Sequence, residues 1–271
     1  MFDNKLLKGY AAGERDFSGT DISGANLRDC NLSSINLSGA NLRECNLASS
    51  NLCGANFSTA KLIKSDLGGC NLRDSDLTGA DLTGAHLGAA DLTGANLTGA
   101  NLTGALLLCA DLRDTNMNGA NLSKSNLYGA SLSNVNLCNA LLENANLIDA
   151  NLEGRINLIN ASVTGAFFKV STLGADLNGA NLSKANLCGA NLSHSNLTNA
   201  DLSLADLEGA NLSEANLTRA NLTGANLIGL DLSGANLTEA NLSSTDIVGA
   251  DLKNVIFCNT IMPDGSIFSS N

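Results

Sequence analysis

A bulky apolar residue stands at every fifth position of this chain from Phe17 to Leu152, without a miss. We call it the central residue of a five-residue repeat. A period of five fits neither the 3.6-residue repeat of an α-helix nor the two-residue alternation of a β-strand. It does fit a chain that makes a short extended step and then turns a corner, so that successive turns stack. The period therefore predicts a solenoid.

The composition also favours a stacked core. There is no Trp, a single proline at Pro263, and only 3% aromatic residues, so a conventional core of large interlocking side chains is hard to build. We expect the central residue and the Ala two positions before it to point inward, and the other three residues to face water. Of the 27 glycines, 21 stand two positions after a central residue, where a turn with positive φ favours glycine.

The repeat reads Ala, then Asp or Asn, Leu, Ser or Thr, and Gly, as in Ala80 to Gly84 and Ala95 to Gly99. This pattern resembles the pentapeptide-repeat family, and it covers about nine-tenths of the chain, from Phe17 to Met262. The resemblance implies an all-β fold, a right-handed quadrilateral β-helix of about twelve coils. Each coil then contains twenty residues, so side chains twenty positions apart stack in columns.

The ends of the chain predict caps, because each coil of a solenoid covers only its neighbours. We expect residues 1–15 to form an N-terminal helical cap, with a short helix from Asp3 to Glu14 that Asp3 begins as N-cap. Residues 16–262 form the β-helix. Residues 263–271 form a C-terminal turn and cap, in which Pro263 to Gly265 folds Ile267 and Phe268 back over the last coil.

The same ends carry a closer resemblance. The segments Leu7 to Phe17 and Ile261 to Ile267 look like the termini of cyanobacterial pentapeptide-repeat proteins. One member of that group promotes heterocyst differentiation by engaging other regulatory proteins. The resemblance implies a cyanobacterial origin.

The period breaks once. After Leu152 the next central residue is Leu158, and the shifted frame continues until Leu177 restores the original one. One residue is inserted near Arg155 and one is removed near Gly174, so the frame shift covers about residues 153–176. We expect a corner bulge near Arg155. It is either a neutral insertion at a turn or a feature that contacts a partner.

One column of outward positions differs from the Ser and Thr of the other three. It exposes Leu108, Tyr128 and Ile148 in three successive coils, and on the same face Leu106 and Phe167 replace the usual outward Asn or Asp. A contiguous apolar stripe indicates an interface, whereas harmless variation at partly shielded corners is the alternative. The predicted partner-binding residues are Leu106, Leu108, Tyr128, Leu141, Ile148, Arg155 and Phe167.

The net charge is −11, with a pI near 4.4, which argues against direct binding of nucleic acid or anionic membranes. No segment reads as an export signal or a membrane span. No two of the eight cysteines are twenty residues apart, so we expect reduced thiols in a cytoplasmic protein, with Cys30, Cys45 and Cys70 replacing Ala as small buried residues. The expected partner is an unknown protein, and the chain is a monomer or associates weakly with itself.

Catalytic signals are absent from the sequence. His86 and His194 fall on different faces, too many coils apart to share a metal ion or a proton relay. No cysteine pair has the spacing of a zinc finger, and the glycines follow the corner period rather than a phosphate-binding loop. We therefore predict no enzymatic activity, no cofactor and no metal.

These observations favour an interaction scaffold or regulator that presents a rigid face to another protein. The alternative is an acidic mimic of DNA that modulates a DNA-binding enzyme such as a type II topoisomerase. A mimic concentrates acid along one side. Here the thirteen acidic residues that precede a central residue divide three, three, three and four among the faces, which weakens that alternative. A purely structural role without a specific partner stays open.

Overall fold

The computed structural model describes residues 3–151, 161, 167–169 and 174–269. The chain divides into two compact units, residues 1–136 and 137–271, called unit 1 and unit 2 below. Most of the described chain consists of single-residue parallel bridges separated by two-residue turns. The longer elements are α1 (Asp3–Ala11), β1 (Asn146–Ile148), β2 (Phe167–Lys169), β3 (Thr260–Ile261) and β4 (Ile267–Phe268).

The bridges show how the repeats form coils. The residue before each central residue pairs in parallel with the residue twenty positions ahead, as Asp81 does with Asn101 and Asn101 with Asn121. Four repeats, and therefore four corners, separate paired residues, so each coil has four sides and the next coil stacks directly on it. This pairing runs from Asp16 to Asn136 in unit 1, and it recurs from Asp176 onward in unit 2.

Every backbone N–H group of a standard repeat has an acceptor, as the repeat from Asp81 to Ala85 shows. The N–H groups of Asp81, Leu82 and Gly84 donate to carbonyl oxygens of neighbouring coils at 2.9, 2.7 and 3.0 Å. The N–H of Ala85 closes the turn onto the carbonyl oxygen of Leu82 at 2.9 Å. The fifth N–H group, that of Thr83, donates to Oδ1 of Asp81 at 3.1 Å. Asn or Asp recurs at this position because its side chain accepts the one N–H that the backbone leaves unpaired.

The core consists of the two predicted inward positions. Central residues such as Leu87 and Leu107 are fully buried, and so are alanines two positions before them, such as Ala85 and Ala105. Cys45 and Cys70 replace alanine and are buried as predicted, but Cys30 is only partly buried. Cys30 belongs to the first coil of the solenoid, where no earlier coil covers it. The prediction that Cys30 is a buried residue was therefore wrong.

Helix α1 lies at the N-terminal end of unit 1. Its Leu6 is buried, and the hydroxyl of Tyr10 donates to the carbonyl oxygen of Ser33 at 2.8 Å, which ties the helix to the first coil. The guanidinium of Arg15 lies 3.9 Å from the centre of the Tyr10 ring. The helix ends at Ala11, three residues before the predicted end, because Gly13 takes a φ of 96° and leaves the helical region.

At the other end, Pro263 and Asp264 form a turn that brings β4 antiparallel to β3. Ile261 pairs with Ile267, and the ring of Phe268 packs edge-on against Phe257 with 5.6 Å between the ring centres. The hairpin covers less than the sequence suggested, because Ile267 remains 71% exposed.

The pairing of β1 with β2 departs from the usual spacing. Asn146 pairs with Phe167, 21 positions ahead rather than 20. A second departure follows in the hydrogen bonds. The N–H of Asn181 donates to the carbonyl oxygen of Ala161, which lies 20 positions back, whereas the equivalent bond in a regular coil, from Asn196 to Ala175, spans 21 positions. One residue inserted before Ala161 and one removed after it would give both differences. The predicted bulge near Arg155 lies outside the described residues, so the frame shift over 153–176 stays a prediction.

Candidate interaction surface

One face of unit 1 lacks the Ser and Thr residues of the other faces. The position after the central residue is taken there, in successive coils, by Ala48, Gly68, Gly88, Leu108 and Tyr128. Ala48 is buried and the two glycines are half-buried. Leu108 and Tyr128 are 37% and 42% exposed. On this face, three successive coils carry at most a methyl group at this position, and the next two coils carry the large apolar side chains of Leu108 and Tyr128.

The raised part contains three exposed apolar residues, Leu106, Leu108 and Tyr128, which we call the apolar patch. Leu106 is 42% exposed. Backbone pairing holds the residues in adjacent coils, since Leu106 forms a bridge with Asn126 and the N–H of Cys109 donates to the carbonyl oxygen of Tyr128 at 2.9 Å. Adjacent coils are about 4.8 Å apart, so the three side chains lie close together.

Leu106 is an unfavourable choice for stability at its position. Its counterpart Asp81 accepts the N–H of the residue two positions later, but a leucine side chain offers no acceptor to the N–H of Leu108. Leu106 also leaves much of an apolar side chain in water. A residue that gives up a turn hydrogen bond and exposes apolar area is expected where function outweighs stability.

Next to the apolar patch, the imidazole of His86 lies across Gly68 and Gly88. A Cβ atom on Gly68 would be 3.0 Å from Nδ1 and Cε1 of that ring, and one on Gly88 would be 3.0 Å from Nε2. Neither glycine has a positive φ. A side chain at either position would therefore have to displace the imidazole, because the ring approaches the backbone closely.

Asp66 holds this ring in place. Its Oδ1 lies 2.9 Å from Nδ1 of His86 and accepts the backbone N–H of Gly68 at 3.0 Å. Burial alone would raise the pKa of Asp66, but the hydrogen bonds from His86 and Gly68, together with the positive charges of His86 and Arg28, outweigh it and lower the pKa below its usual value. Asp66 is therefore an anion at neutral pH.

The structure brings together only part of the predicted site. Leu106, Leu108 and Tyr128 lie in unit 1, whereas the other predicted residues belong to unit 2. Leu141 is 40% exposed. Ile148 is only partly exposed, contrary to the expectation, and it lies in β1, whose backbone pairs with that of β2. The backbone of Phe167 lies in β2, and Arg155 falls outside the described residues.

The Asp66–His86 pair was not predicted from the sequence, because His86 was considered there only as a possible partner of His194. A signal was available. Asp66 and His86 are twenty positions apart, as are Gly68 and Gly88, and each glycine stands two positions after one of the pair. Columns of the repeat therefore place all four residues together.

A cleft of about 440 Å³ lies between α1 and the first coil. Its walls combine the apolar side chains of Leu6, Phe17 and Ile22 with the charged side chains of Lys5 and Glu14. Asp16 and Asp21 also line it, and the pKa of each is lowered, mainly by hydrogen bonds from Ser18 and Ser23. Asp16 and Asp21 thus already accept hydrogen bonds from within the chain.

Groups suited to metal binding do not assemble in the part of the chain that the structure describes. No three His, Cys, Asp or Glu side chains there are placed to hold a metal ion. All eight cysteines are free thiols, and burial raises the pKa of Cys70 to about 11, so that thiol stays protonated. None of the described helices has the length and apolar character needed to cross a membrane.

Comparison with protein families gives a match to the model described as pentapeptide repeats (8 copies), which matches ten overlapping or neighbouring segments of the chain. No curated protein matches the chain. The matched segments cover most of the chain and comprise residues 16–33, 40–79, 70–107, 95–134, 107–144, 125–154, 175–214, 200–238, 215–254 and 235–262.

Several solved structures are similar to the chain. HetL, a pentapeptide repeat protein involved in heterocyst differentiation regulation from the cyanobacterium Nostoc sp. strain PCC 7120, is 33% identical over 98% of both chains, with a TM-score of 0.39. QnrB1, a plasmid-mediated fluoroquinolone resistance protein, is 18% identical over 73% of this chain and 92% of its own, with a TM-score of 0.44. Rfr23, a pentapeptide repeat protein from the cyanobacterium Cyanothece 51142, is 27% identical over 54% and 94%, with a TM-score of 0.28.

Proposed function

This chain belongs to the pentapeptide-repeat family, whose fold is a right-handed quadrilateral β-helix, and from that premise we propose that it is a non-enzymatic interaction scaffold or regulator. It works by presenting a rigid face of the β-helix to a protein partner. The family is generally non-enzymatic, which supports the proposal that this chain is not an enzyme.

The observation that carries the proposal is the apolar patch. Leu106, Leu108 and Tyr128 are exposed together in adjacent coils, whereas the other faces carry mostly polar residues at the same repeat positions. The backbone beneath them is fixed by hydrogen bonds between coils, so the side chains are held in a constant arrangement. Aromatic and large aliphatic side chains on a rigid support are typical anchors of protein interfaces.

The proposal extends to the predicted residues of unit 2. Leu141, Ile148, Phe167 and the frame shift near Arg155 are further contact features under this proposal. The complete solenoid comprises about twelve coils over residues 16–262, with caps at 1–15 and 263–271. The partner is a protein rather than nucleic acid or a membrane, the chain acts as a monomer or associates weakly, and it acts in the cytoplasm.

The acidic-mimic alternative has weaker support. In unit 1, the hydrogen-bonded ladders of the bridge positions mix Asp with Asn, as when the Nδ2 atom of Asn36 donates to Asp16 and that of Asn101 to Asp81. Asp91 and Asp111 are moreover paired with arginines. The acidic residues on these faces therefore do not form a continuous column. Mimicry of a phosphate backbone requires such continuity of negative charge.

The test is affinity co-purification from the native host with a patch variant, in which Leu106→Asn, Leu108→Ser and Tyr128→Ser are combined. Each substitution introduces the residue that the repeat prefers, so the fold is retained. The control variant combines Ile228→Ser and Val248→Ser, which occupy the same repeat position in unit 2 and are 36% and 69% exposed.

A protein recovered with the wild type and the control, but not with the patch variant, is then purified and its affinity is measured directly. We expect the patch variant to bind it at least about tenfold more weakly. Equal recovery with wild type and patch variant, with the β-rich circular dichroism spectrum unchanged in both, would remove the patch from the proposal.

A further inference from the structure

We propose that the cleft between α1 and the first coil binds an extended segment of a partner protein as an added β-strand. A lysine or arginine of that segment lies beside Asp21, and the apolar residue that follows it enters the cleft. This site goes beyond the proposed function, because it is a second contact site, at the N-terminal end of unit 1 and separate from the apolar patch.

The backbone of Asp21 forms an open edge. In the next coil, the N–H of Asn41 donates to the carbonyl oxygen of Thr20 at 2.8 Å, and the carbonyl oxygen of Asn41 accepts from Ile22 at 2.9 Å. These two bonds join a coil to the coil before it. Asp21 belongs to the first coil, and among the described residues neither its N–H nor its carbonyl oxygen has a backbone partner. The exposed edge therefore offers one donor and one acceptor to an added strand.

Helix α1 closes a different part of the same edge. The carbonyl oxygen of Cys53, in the second coil, accepts the N–H of Ser34 at 2.8 Å, and the equivalent acceptor in the first coil is the carbonyl oxygen of Ser33. The hydroxyl of Tyr10 donates to that oxygen at 2.8 Å. The helix thus replaces the missing coil at Ser33 but leaves the backbone of Asp21 open.

The cleft lies along this open edge. Asp21 lines it together with the apolar side chains of Leu6, Phe17 and Ile22, and its volume is about 440 Å³. Ligand sites in proteins range from about 300 to 1,000 Å³, so the cleft has room for an apolar side chain and the backbone that carries it. Successive side chains of a strand point to opposite sides. A residue beside Asp21 therefore points outward, and the next residue points into the cleft.

The charge of the walls favours a basic segment. Three carboxyl groups, those of Glu14, Asp16 and Asp21, line the cleft with one ammonium group, that of Lys5. The pKa values of Asp16 and Asp21 are lowered, mainly by hydrogen bonds within their own turns, so both are anions at neutral pH. The whole chain also has a net charge of −11. A basic segment is attracted to such a site and an acidic one is repelled.

An interior coil of the chain already contains the proposed arrangement. Lys61 stands in the same column as Asp21 and pairs in parallel with Asp81. The N–H of Asp81 donates to the carbonyl oxygen of Ala60 at 2.9 Å, and its carbonyl oxygen accepts from Leu62 at 2.7 Å. Leu62 is fully buried. A lysine before the aspartate in the column, followed by an inward apolar residue, is therefore compatible with this backbone, and it defines the register of the bound segment.

The experiment uses a labelled peptide with the sequence of residues 59–65, Thr-Ala-Lys-Leu-Ile-Lys-Ser, blocked at both ends. Its affinity for the full-length protein is measured by fluorescence anisotropy. We expect binding that weakens about fivefold or more when the first lysine of the peptide is replaced by glutamate, because like charges then meet. Methylation of the leucine amide nitrogen weakens binding about tenfold or more, because it removes the donor to the carbonyl oxygen of Asp21.

Amide hydrogen exchange, followed by NMR, locates the bound peptide. The exchange of the Asp21 amide slows when the peptide is added, whereas that of Asn41, which is already bonded, does not change. Asp21→Asn keeps an acceptor for Ser23 but removes the charge, and it weakens binding about threefold. Asp81→Asn, in the same column of an interior coil, is the matched control and leaves the affinity unchanged.

The outcomes separate this site from the apolar patch. The patch variant binds the peptide as the wild type does, so either site can fail without the other. No binding at peptide concentrations up to about 1 mM overturns the added strand. Binding that leaves the exchange of the Asp21 amide unchanged, or that tolerates the methylated amide, overturns it as well. Equal affinity for the glutamate peptide overturns the preference for a basic segment.

Discussion

At the scale of single residues, the turns impose the same backbone on very different side chains. Two positions after the central residue, φ is positive for glycines such as Gly99, at 64°, and also for 25 non-glycine residues among those described, including Ala89 at 53° and Leu204 at 58°. The predicted positive φ is confirmed, but glycine is only the preferred occupant. Each side chain with a Cβ atom at this position carries a conformational cost.

This cost predicts opposite effects for two substitutions. Gly99→Ala lowers the free energy of unfolding by roughly 0.5–1 kcal/mol, because the left-handed backbone is retained and Ala is strained there. A Cβ atom on Gly99 would meet nothing within 4 Å, so the effect is due to the backbone alone. Ala89→Gly raises the free energy of unfolding by a similar amount. Chemical denaturation followed by circular dichroism measures both.

If both variants unfolded at the denaturant concentration of the wild type, the turns would not hold residues in the left-handed region in solution. Ala95→Gly is the matched control. Ala95 is buried at an inward position and has no positive φ, so the same removal of a methyl group should destabilise there.

At the scale of the repeat, one side-chain oxygen completes the hydrogen bonds of each corner. Asn96 shows this role, since its Oδ1 accepts the N–H of Thr98 at 3.2 Å and the hydroxyl of Thr98 at 2.6 Å. The sequence predicted a residue that faces water at this position. The structure shows a half-buried side chain that bonds to the backbone of its own turn, and this explains why Asn and Asp are preferred to other polar residues there.

Restoring this oxygen in the apolar patch should stabilise the chain. We expect Leu106→Asn to raise the free energy of unfolding by about 1 kcal/mol, because the N–H of Leu108 gains an acceptor and exposed apolar area is removed. Thermal unfolding measures the change. Asn96→Leu is the converse control and should destabilise by a similar amount. A loss of stability in Leu106→Asn would mean that Leu106 is there for packing rather than for contact with a partner.

Helix α1 depends on a single hydroxyl for part of its attachment. Tyr10→Phe removes the donor to the carbonyl oxygen of Ser33 and should cost about 1 kcal/mol in unfolding free energy. Tyr10→Ala should cost more, because the stacking of Arg15 on the ring is also lost. Equal stability of all three proteins in a thermal melt would show that the helix is not held by this contact.

At the scale of the whole molecule, carboxylates stabilise the folded state through their hydrogen bonds. The pKa of Asp111 is lowered, first by the hydrogen bond from Arg113, and that of Glu239 is lowered by Arg219. A carboxyl group whose pKa is lower in the folded chain contributes stability above its unfolded pKa, near 4, and loses that contribution as the pH falls through the folded pKa.

We therefore expect the melting temperature to be nearly constant from pH 7 to about pH 5 and to fall below about pH 4. Asp111→Asn should reduce the acid-induced fall, because asparagine does not titrate. Thermal melts from pH 3 to pH 7 compare the two proteins. A melting temperature that rises on acidification would mean that relief of repulsion among the acidic groups outweighs these bonds.

Particular residues show how much of the fold and of the candidate site could be predicted from the sequence. The family was predicted correctly from the repeat, the coil of twenty residues from the resemblance to that family, and the inward positions of residues such as Leu87 and Ala85 from the period. The exposure of Leu108 and Tyr128 followed from the column they share. The partial burial of Ile148, which lies in β1, was not predicted from that column.

The sequence by itself determined that the chain stacks as a solenoid, because a strict period of five fits neither an α-helix nor a long β-strand, and the four-sided coil was implied by the resemblance to the pentapeptide-repeat family. Only the tertiary structure decided how the surface is built. The contact of Asp66 with His86, and the close approach of the His86 ring to Gly68 and Gly88, depend on distances between coils that no single repeat contains. The sequence of one repeat specifies the turn of that repeat. The contacts between side chains on a face form only when stacking of the coils brings residues of different repeats within hydrogen-bond distance.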